Sequence, residues 1–211
     1  MIYLNAFMVG AVVMGFEMLG SRYLFPYFGG GIDTWAGLIS TVLVALTVGY
    51  LVGGSVVDRY PSPRVIAVSI AIAALCLALV PSTADHLMSS ILESVGAGPV
   101  GILLASTTLL LFPLSLLGTF SPVAVRLQTR STTESGRTSG LIYGISTIGN
   151  VFGTLFTTFV LIPTLGSRKI TYVFAGVLAV CSMSLFLTGQ EHTIGTRNQA
   201  SAAGQIPTSH V

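Results

Sequence analysis

Long apolar stretches separated by short polar or glycine-containing connections run through the sequence: Ile2 to Tyr23, Trp35 to Val57, Val65 to Val80, Val100 to Phe120, Leu141 to Pro163 and Ile170 to Thr188. A helix needs roughly 17 to 25 mainly apolar residues to cross the hydrocarbon of a bilayer. The pattern therefore predicts six transmembrane helices, the third being the shortest. Between the third and fourth, Leu87, Ile91 and Val95 recur every four residues beside Met88 and Leu92, while Asp85, Ser89 and Glu93 are polar. This spacing predicts either a short helix lying along the outer interface or a plain structured loop, since such a helix normally carries Lys and Arg. Pro113 removes a backbone donor inside the fourth span and predicts a kink; Pro122, after Gly118, Thr119 and Ser121, is expected to end that helix.

Composition places these helices in lipid. Of the residues, 52% are hydrophobic and 8% are charged, against about 25% charged in a soluble domain. The expected fold is all-α, a polytopic membrane domain over residues 1–188 followed by a flexible cytoplasmic tail over 189–211, which is rich in Gly, Ser, Thr, Gln and Ala. The first apolar stretch lacks preceding basic residues and a small-residue cleavage site, so it is expected to be a retained span and not a secretion signal.

Lys and Arg are retained on the cytoplasmic side of short loops. With the N-terminus inside, Arg59, Arg64, Arg126, Arg130, Arg137 and Arg197 fall on that side, against Arg22, Arg168 and Lys169 on the other. The expectation is a cytoplasmic (inner) membrane protein with both termini in the cytoplasm. The basic residues form no stripe of the kind that binds nucleic acid. Cys76 and Cys181 lie in apolar runs, where a thiol behaves as a small hydrophobe.

Few side chains could carry chemistry. Glu17 is an acidic group well inside a predicted span, where a charge costs several kcal/mol. It predicts a proton- or cation-binding carboxylate, an interhelical clamp, or a protonated acid near the outer interface, in each case facing protein or water. Arg22 is five positions away, about 140° around a straight helix, so a partner on another helix is as good an expectation. In the fifth span Tyr143, Ser146, Asn150, Gly153 and Thr157 share one side, and Glu17, Arg22 and Asn150 form a candidate intramembrane polar site. Gly140 with Gly144, Gly149 with Gly153, and Gly49 with Gly53 repeat the GxxxG spacing that lets another backbone approach. These glycines make the second and fifth helices the candidate partner interface. The Ala-, Val-, Ile- and Leu-rich third and sixth helices are expected to face lipid. Gly29, Gly30 and Gly31 lie in a loop and form no nucleotide fingerprint, and His86, His192 and His210 have no companion metal ligands. No enzyme, cofactor or metal site is expected.

Gly54, Asp58 and Arg59, followed by Arg64, resemble the G-x-x-x-D-R loop between the second and third helices of the major facilitator superfamily, with Tyr60, Pro61, Ser62 and Pro63 departing from its usual glycine and basic run. A wider resemblance is to the membrane part of spermidine synthase-like proteins that fuse a facilitator-like bundle to a soluble aminopropyltransferase domain. It is carried by Glu17 to Gly20 with Arg22, Pro26 to Gly29, Trp35, Gly49 to Asp58, Ser121 and Pro122 with Arg126 and Leu127, and Gly140 to Thr154 with Pro163 and Gly166. The resemblance implies a half-facilitator-like bundle of two three-helix inverted repeats. Residues 189–211 have no likeness to the soluble domain, so it implies no aminopropyltransferase activity. The expected function is a non-enzymatic membrane subunit that docks a partner, itself or a larger membrane complex, through the glycine faces of its second and fifth helices. Two alternatives stand beside it: a small homodimeric transporter for a cation or polyamine, and a membrane anchor recruiting a separately encoded synthase-like enzyme through Arg126, Arg130 and Arg137.

Overall fold

The computed structural model describes residues 1–129 and 135–203, with side chains up to 187. Six helices are long and apolar enough to cross a membrane: α1 (Ile2–Phe28), α2 (Ile32–Arg59), α3 (Pro63–Val95), α4 (Pro99–Gln128), α5 (Ser135–Thr164) and α6, whose spanning part is Ser167–Leu187. The chain is an all-α multi-pass membrane protein. Short connections hold successive helices close. α1 and α3 stop at Gly29 and Gly96, whose φ of 74° and 84° reverse the chain at no steric cost. α3 opens with Pro63 behind Ser62, whose hydroxyl accepts from the Arg64 amide.

Register follows from the contacts. A side chain at Gly149 would overlap the Phe7 carbonyl and one at Gly153 the Ala11 carbonyl, so α1 and α5 rise together, in parallel, over four-residue steps. Gly37 faces Ile102, Gly49 faces Ser115 and Gly118, and Gly53 faces Thr119 and Pro122, which makes α2 and α4 a second parallel pair. α3 and α6 run antiparallel: Ser182 donates to the Ala67 carbonyl (2.7 Å), and the Arg168–Asp85 ion pair joins their opposite ends. Exchanging α1 with α4, α2 with α5 and α3 with α6 maps the pairs α1–α5, α2–α4 and α3–α6 onto one another. Hydroxyl and amide groups also bond between helices, Thr41 with Ser106 across α2–α4 (2.9 Å), and Tyr23 with Thr171 (2.9 Å) and Asn5 with Ser184 (3.2 Å) between α1 and α6. Each such bond contributes on the order of 0.6–2 kcal/mol in a membrane.

Several expectations change. The segment from Asp85 to Val95 is neither an interfacial helix nor a loop, because α3 runs on unbroken through Pro81 to Val95. Met88 is buried and Ile91 and Leu92 pack on the core, so the four-residue apolar spacing is the continuing inner face of α3. Pro122 does not end the fourth helix. A turn at Thr119 precedes a further segment, Phe120–Gln128, and Pro122 sits in its first turn, where a missing N–H costs little. α3 and α6 are not the most lipid-exposed helices: 44% of each spanning window is buried, against 17% for α5. Of their alanines, Ala67, Ala73, Ala74 and Ala175 are buried, serving close approach as glycine does elsewhere, while Ala71 and Ala179 are exposed. The backbone of α6 continues to Ala203, so helix occupies most of the stretch from Gly189 expected to form a tail without packed structure. Arg130 and residues 204–211 lie outside the described residues.

The same seven-residue pattern ends in Pro113 and Pro163: Thr107-Thr108-Leu-Leu-Leu-Phe-Pro and Thr157-Thr158-Phe-Val-Leu-Ile-Pro. In both, the five residues Thr107–Leu111 and Thr157–Leu161 widen into a π-helix. A helical proline clashes with the carbonyl four residues earlier, here Leu109 and Phe159, and an enlarged turn relieves that clash. The kink expected at Pro113 is thus a π-turn, and α5 carries its counterpart.

Because Gly153 abuts backbone, Gly153→Ala forces α1 and α5 apart. Thermal unfolding in detergent should show a loss of about 1–3 kcal/mol. Gly144→Ala, which meets open space, should change stability by less than about 0.5 kcal/mol; equal effects at the two positions would contradict the seam.

Candidate functional site

The glycines expected to receive a partner divide into two sets. Gly49, Gly53, Gly149 and Gly153 are buried against α4 and α1 of the same chain, so they build the fold and leave no room for another molecule. This corrects the assignment of all six to a partner interface. Spacing alone cannot distinguish a seam filled from within from one left open. Gly140 and Gly144 are exposed with nothing within 4 Å.

Beside these open glycines, α5 shows two exposed surfaces. One, made by Leu141, Ile148, Phe152, Leu155 and Phe159, is wholly apolar. The other is a ladder of small or polar residues seven apart, Gly140, Thr147 and the half-buried Thr154, flanked by Tyr143, Gly144 and the half-buried Asn150. α2 carries a matching ladder, Ser40, Thr47 and Gly54, flanked by Tyr50. Residues seven apart on a helix differ by only about 20° and so share one face. The hydroxyls of Thr47, Thr147 and Thr154 bond back to the carbonyls of Leu43, Tyr143 and Asn150, which satisfies the threonine donors of the two ladders within their own helices.

Tyr50 and Tyr143 meet edge to face across the gap between the two ladders, with ring centroids 6.5 Å apart and planes at 89°. Behind them lies a cavity of about 20 Å³ lined by Gly10, Tyr50, Gly118, Ser121, Ser146 and Asn150. That space suffices for one water among polar partners. Gly10 brings α1 close to α5 at this point: a Cβ there would overlap the Ser146 carbonyl and stand 2.9 Å from Asn150 Oδ1.

The predicted polar triad is not assembled. Asn150 lines the cavity. Glu17 shares the α1 face of Gly10, Val13 and Gly20, but seven residues, about 10.5 Å, separate it from Gly10 along the axis. Its side chain is 6% exposed, and among the described residues its carboxyl has no hydrogen-bond or ion-pair partner, so no clamp is formed. Arg22 is exposed and does not pair with it. In the facilitator-like loop, Asp58, Arg59 and Arg64 are exposed where α2 ends and α3 begins, and Gly54 has open space around it. Tyr50 and Ser121 fall in stretches that carry the resemblance but were not expected to line a site; their signal is adjacency to seam residues, Tyr50 after Gly49 and Ser121 before Pro122.

The cavity's neutral hydroxyls and amide can hold water or a small polar group, and they include no nucleophile with an adjacent base. Among the described residues no group of three His, Cys, Asp or Glu could hold a metal. Comparison of the chain with protein families, with curated proteins and with solved structures finds no match.

A buried acid without a partner is a cost to folding. Glu17→Leu should therefore raise stability by about 1–3 kcal/mol in detergent unfolding, whereas a loss of that size would reveal a partner that the carboxyl holds.

Proposed function

We propose that this chain is a non-enzymatic integral membrane subunit that pairs with a second copy of itself through the exposed faces of α2 and α5. The observation that carries the proposal is the pair of ladders, Ser40–Thr47–Gly54 and Gly140–Thr147–Thr154, exposed at Ser40, Thr47, Gly140 and Thr147 and half-buried at Gly54 and Thr154, beside the greasy surface of Leu141, Ile148, Phe152, Leu155 and Phe159. Lipid gives helices no hydrophobic reason to associate, and small residues that permit close contact are what membrane interfaces use. A two-fold axis would set α2 of one copy against α5 of the other, each ladder meeting its counterpart, which is an isologous contact that closes.

The helix pairings, with their exchange of α1 with α4, α2 with α5 and α3 with α6, support the half-facilitator likeness read from Gly54, Asp58 and Arg59. Two copies would supply the opposing bundle such a half lacks. The basic residues at the two ends of the bundle support cytoplasmic termini in an inner membrane.

Pairing is tested with Thr47→Cys and Thr147→Cys together. Copies carrying both should cross-link with a short bifunctional maleimide in membranes, and Gly140→Leu with Gly144→Leu should abolish the cross-link while unfolding stays unchanged. A monomer at all concentrations in native mass spectrometry would end the proposal.

Transport of a cation by such a homodimer is the second function, favoured by the buried, unpartnered Glu17. Proteoliposome uptake of protons or a polyamine should then fall at least tenfold in Glu17→Gln, and absence of flux in the parent protein would leave the docking role alone.

A further inference from the structure

On the side of the bundle formed by α3 and α6, a trench of about 730 Å³ runs between the two helices. Its floor is Ala74, Ala78, Ala175 and Gly176, and Leu75 and Met183 stand at its sides. Trenches of this size hold extended apolar ligands. Ordinary annular lipid meets convex ridges of side chains; here the missing side-chain volume of the alanines leaves a concave apolar slot.

The antiparallel register puts a cationic group at one mouth of this slot. Arg168 and Lys169 precede Tyr172, which lines the trench, by four and three residues, and positions three and four apart on a helix are neighbours on its surface. Arg168 pairs with Asp85 across the two helices, so its charge is met within the protein. Lys169 is exposed and has no ion-pair partner among the described residues. Tyr172 is half exposed at the same end, as aromatic residues at headgroup level are. One uncompensated positive charge therefore stands above an apolar slot.

We infer that the α3–α6 trench binds a phospholipid with an anionic headgroup, one acyl chain lying along the alanines and the phosphate meeting Lys169. The charge selects the headgroup and the slot selects the chain. A soluble anion has no use for the slot, and an apolar helix has none for the lysine. This site lies on a different face from the α2–α5 ladders and does not depend on pairing.

The test is lipid retention. Delipidated protein in detergent is mixed with equal amounts of phosphatidylglycerol and phosphatidylcholine, and bound lipid is read by native mass spectrometry. The parent protein should retain phosphatidylglycerol several-fold over phosphatidylcholine. Lys169→Gln should lose the preference while still holding either lipid weakly, and Gly176→Leu, whose new side chain enters open space, should lose both. Equal retention of the two lipids by the parent protein overturns the inference, as does a preference that survives Lys169→Gln or binding that survives Gly176→Leu.

Discussion

Helices already solvated by hydrocarbon gain nothing by hiding apolar side chains from it, so what holds this bundle together is the closeness with which two backbones can approach. Gly149 and Gly153 let α5 lie against the carbonyls of Phe7 and Ala11, and Gly49 and Gly53 let α2 lie against Ser115, Gly118 and Thr119. At that separation dispersion contacts accumulate along whole helix lengths, each small and together large. Cross-helix hydroxyl bonds such as Thr41 to Ser106 are reachable only because the helices are that close. α3 and α6 reach the same end with alanine.

The two glycine seams also decide the surface. With α5 committed to α1 and α2 to α4, α2 and α5 stand on either side of a gap, and their outward residues share one face. The Tyr50–Tyr143 contact bridges this gap, behind which the polar cavity sits. α5 is buried over so little of its length because only its glycine edge is used inside the molecule. Partner docking through α2 and α5 therefore survives as a proposal, but on different residues from those the GxxxG spacing named: the open ladders, with Gly140 and Gly144, in place of the four glycines that fill the seams.

Strain and unmet polarity gather in the same bundle. The π-turns before Pro113 and Pro163 interrupt α4 and α5, and the buried hydroxyls of Thr157 and Thr158 in the second have no hydrogen-bond partner. Elsewhere Thr bonds back to the carbonyl four residues earlier, as Thr154 does to Asn150 and, within the first π-turn, Thr108 does to Leu104. Together with Glu17 these groups oppose folding, and the close seams outweigh them.

Hydropathy and length alone determined that the chain is all-α, that it crosses a bilayer six times and roughly where, because apolar runs of spanning length have one stable form in lipid. The small-residue pattern on the second and fifth helices was also legible, as was Asn150 beside Ser146 on one side of the fifth. Tertiary structure decided what each pattern meets. Gly149 and Gly140 belong to the same spacing, yet one is closed by Phe7 and the other is open, since a helix records the capacity for close approach and not the neighbour that uses it. The alanines of α3 and α6 read as lipid-facing for the same reason, alanine being compatible with either surface. Asp85 to Val95 looked interfacial because polarity marks depth in the membrane, whereas the helix continues wherever the i to i−4 bonds and the packing of Met88 persist. Which polar groups share a cavity, and which carboxylate is left alone, depends on rotations and depths of helices distant in sequence, and these are set only when the seams close.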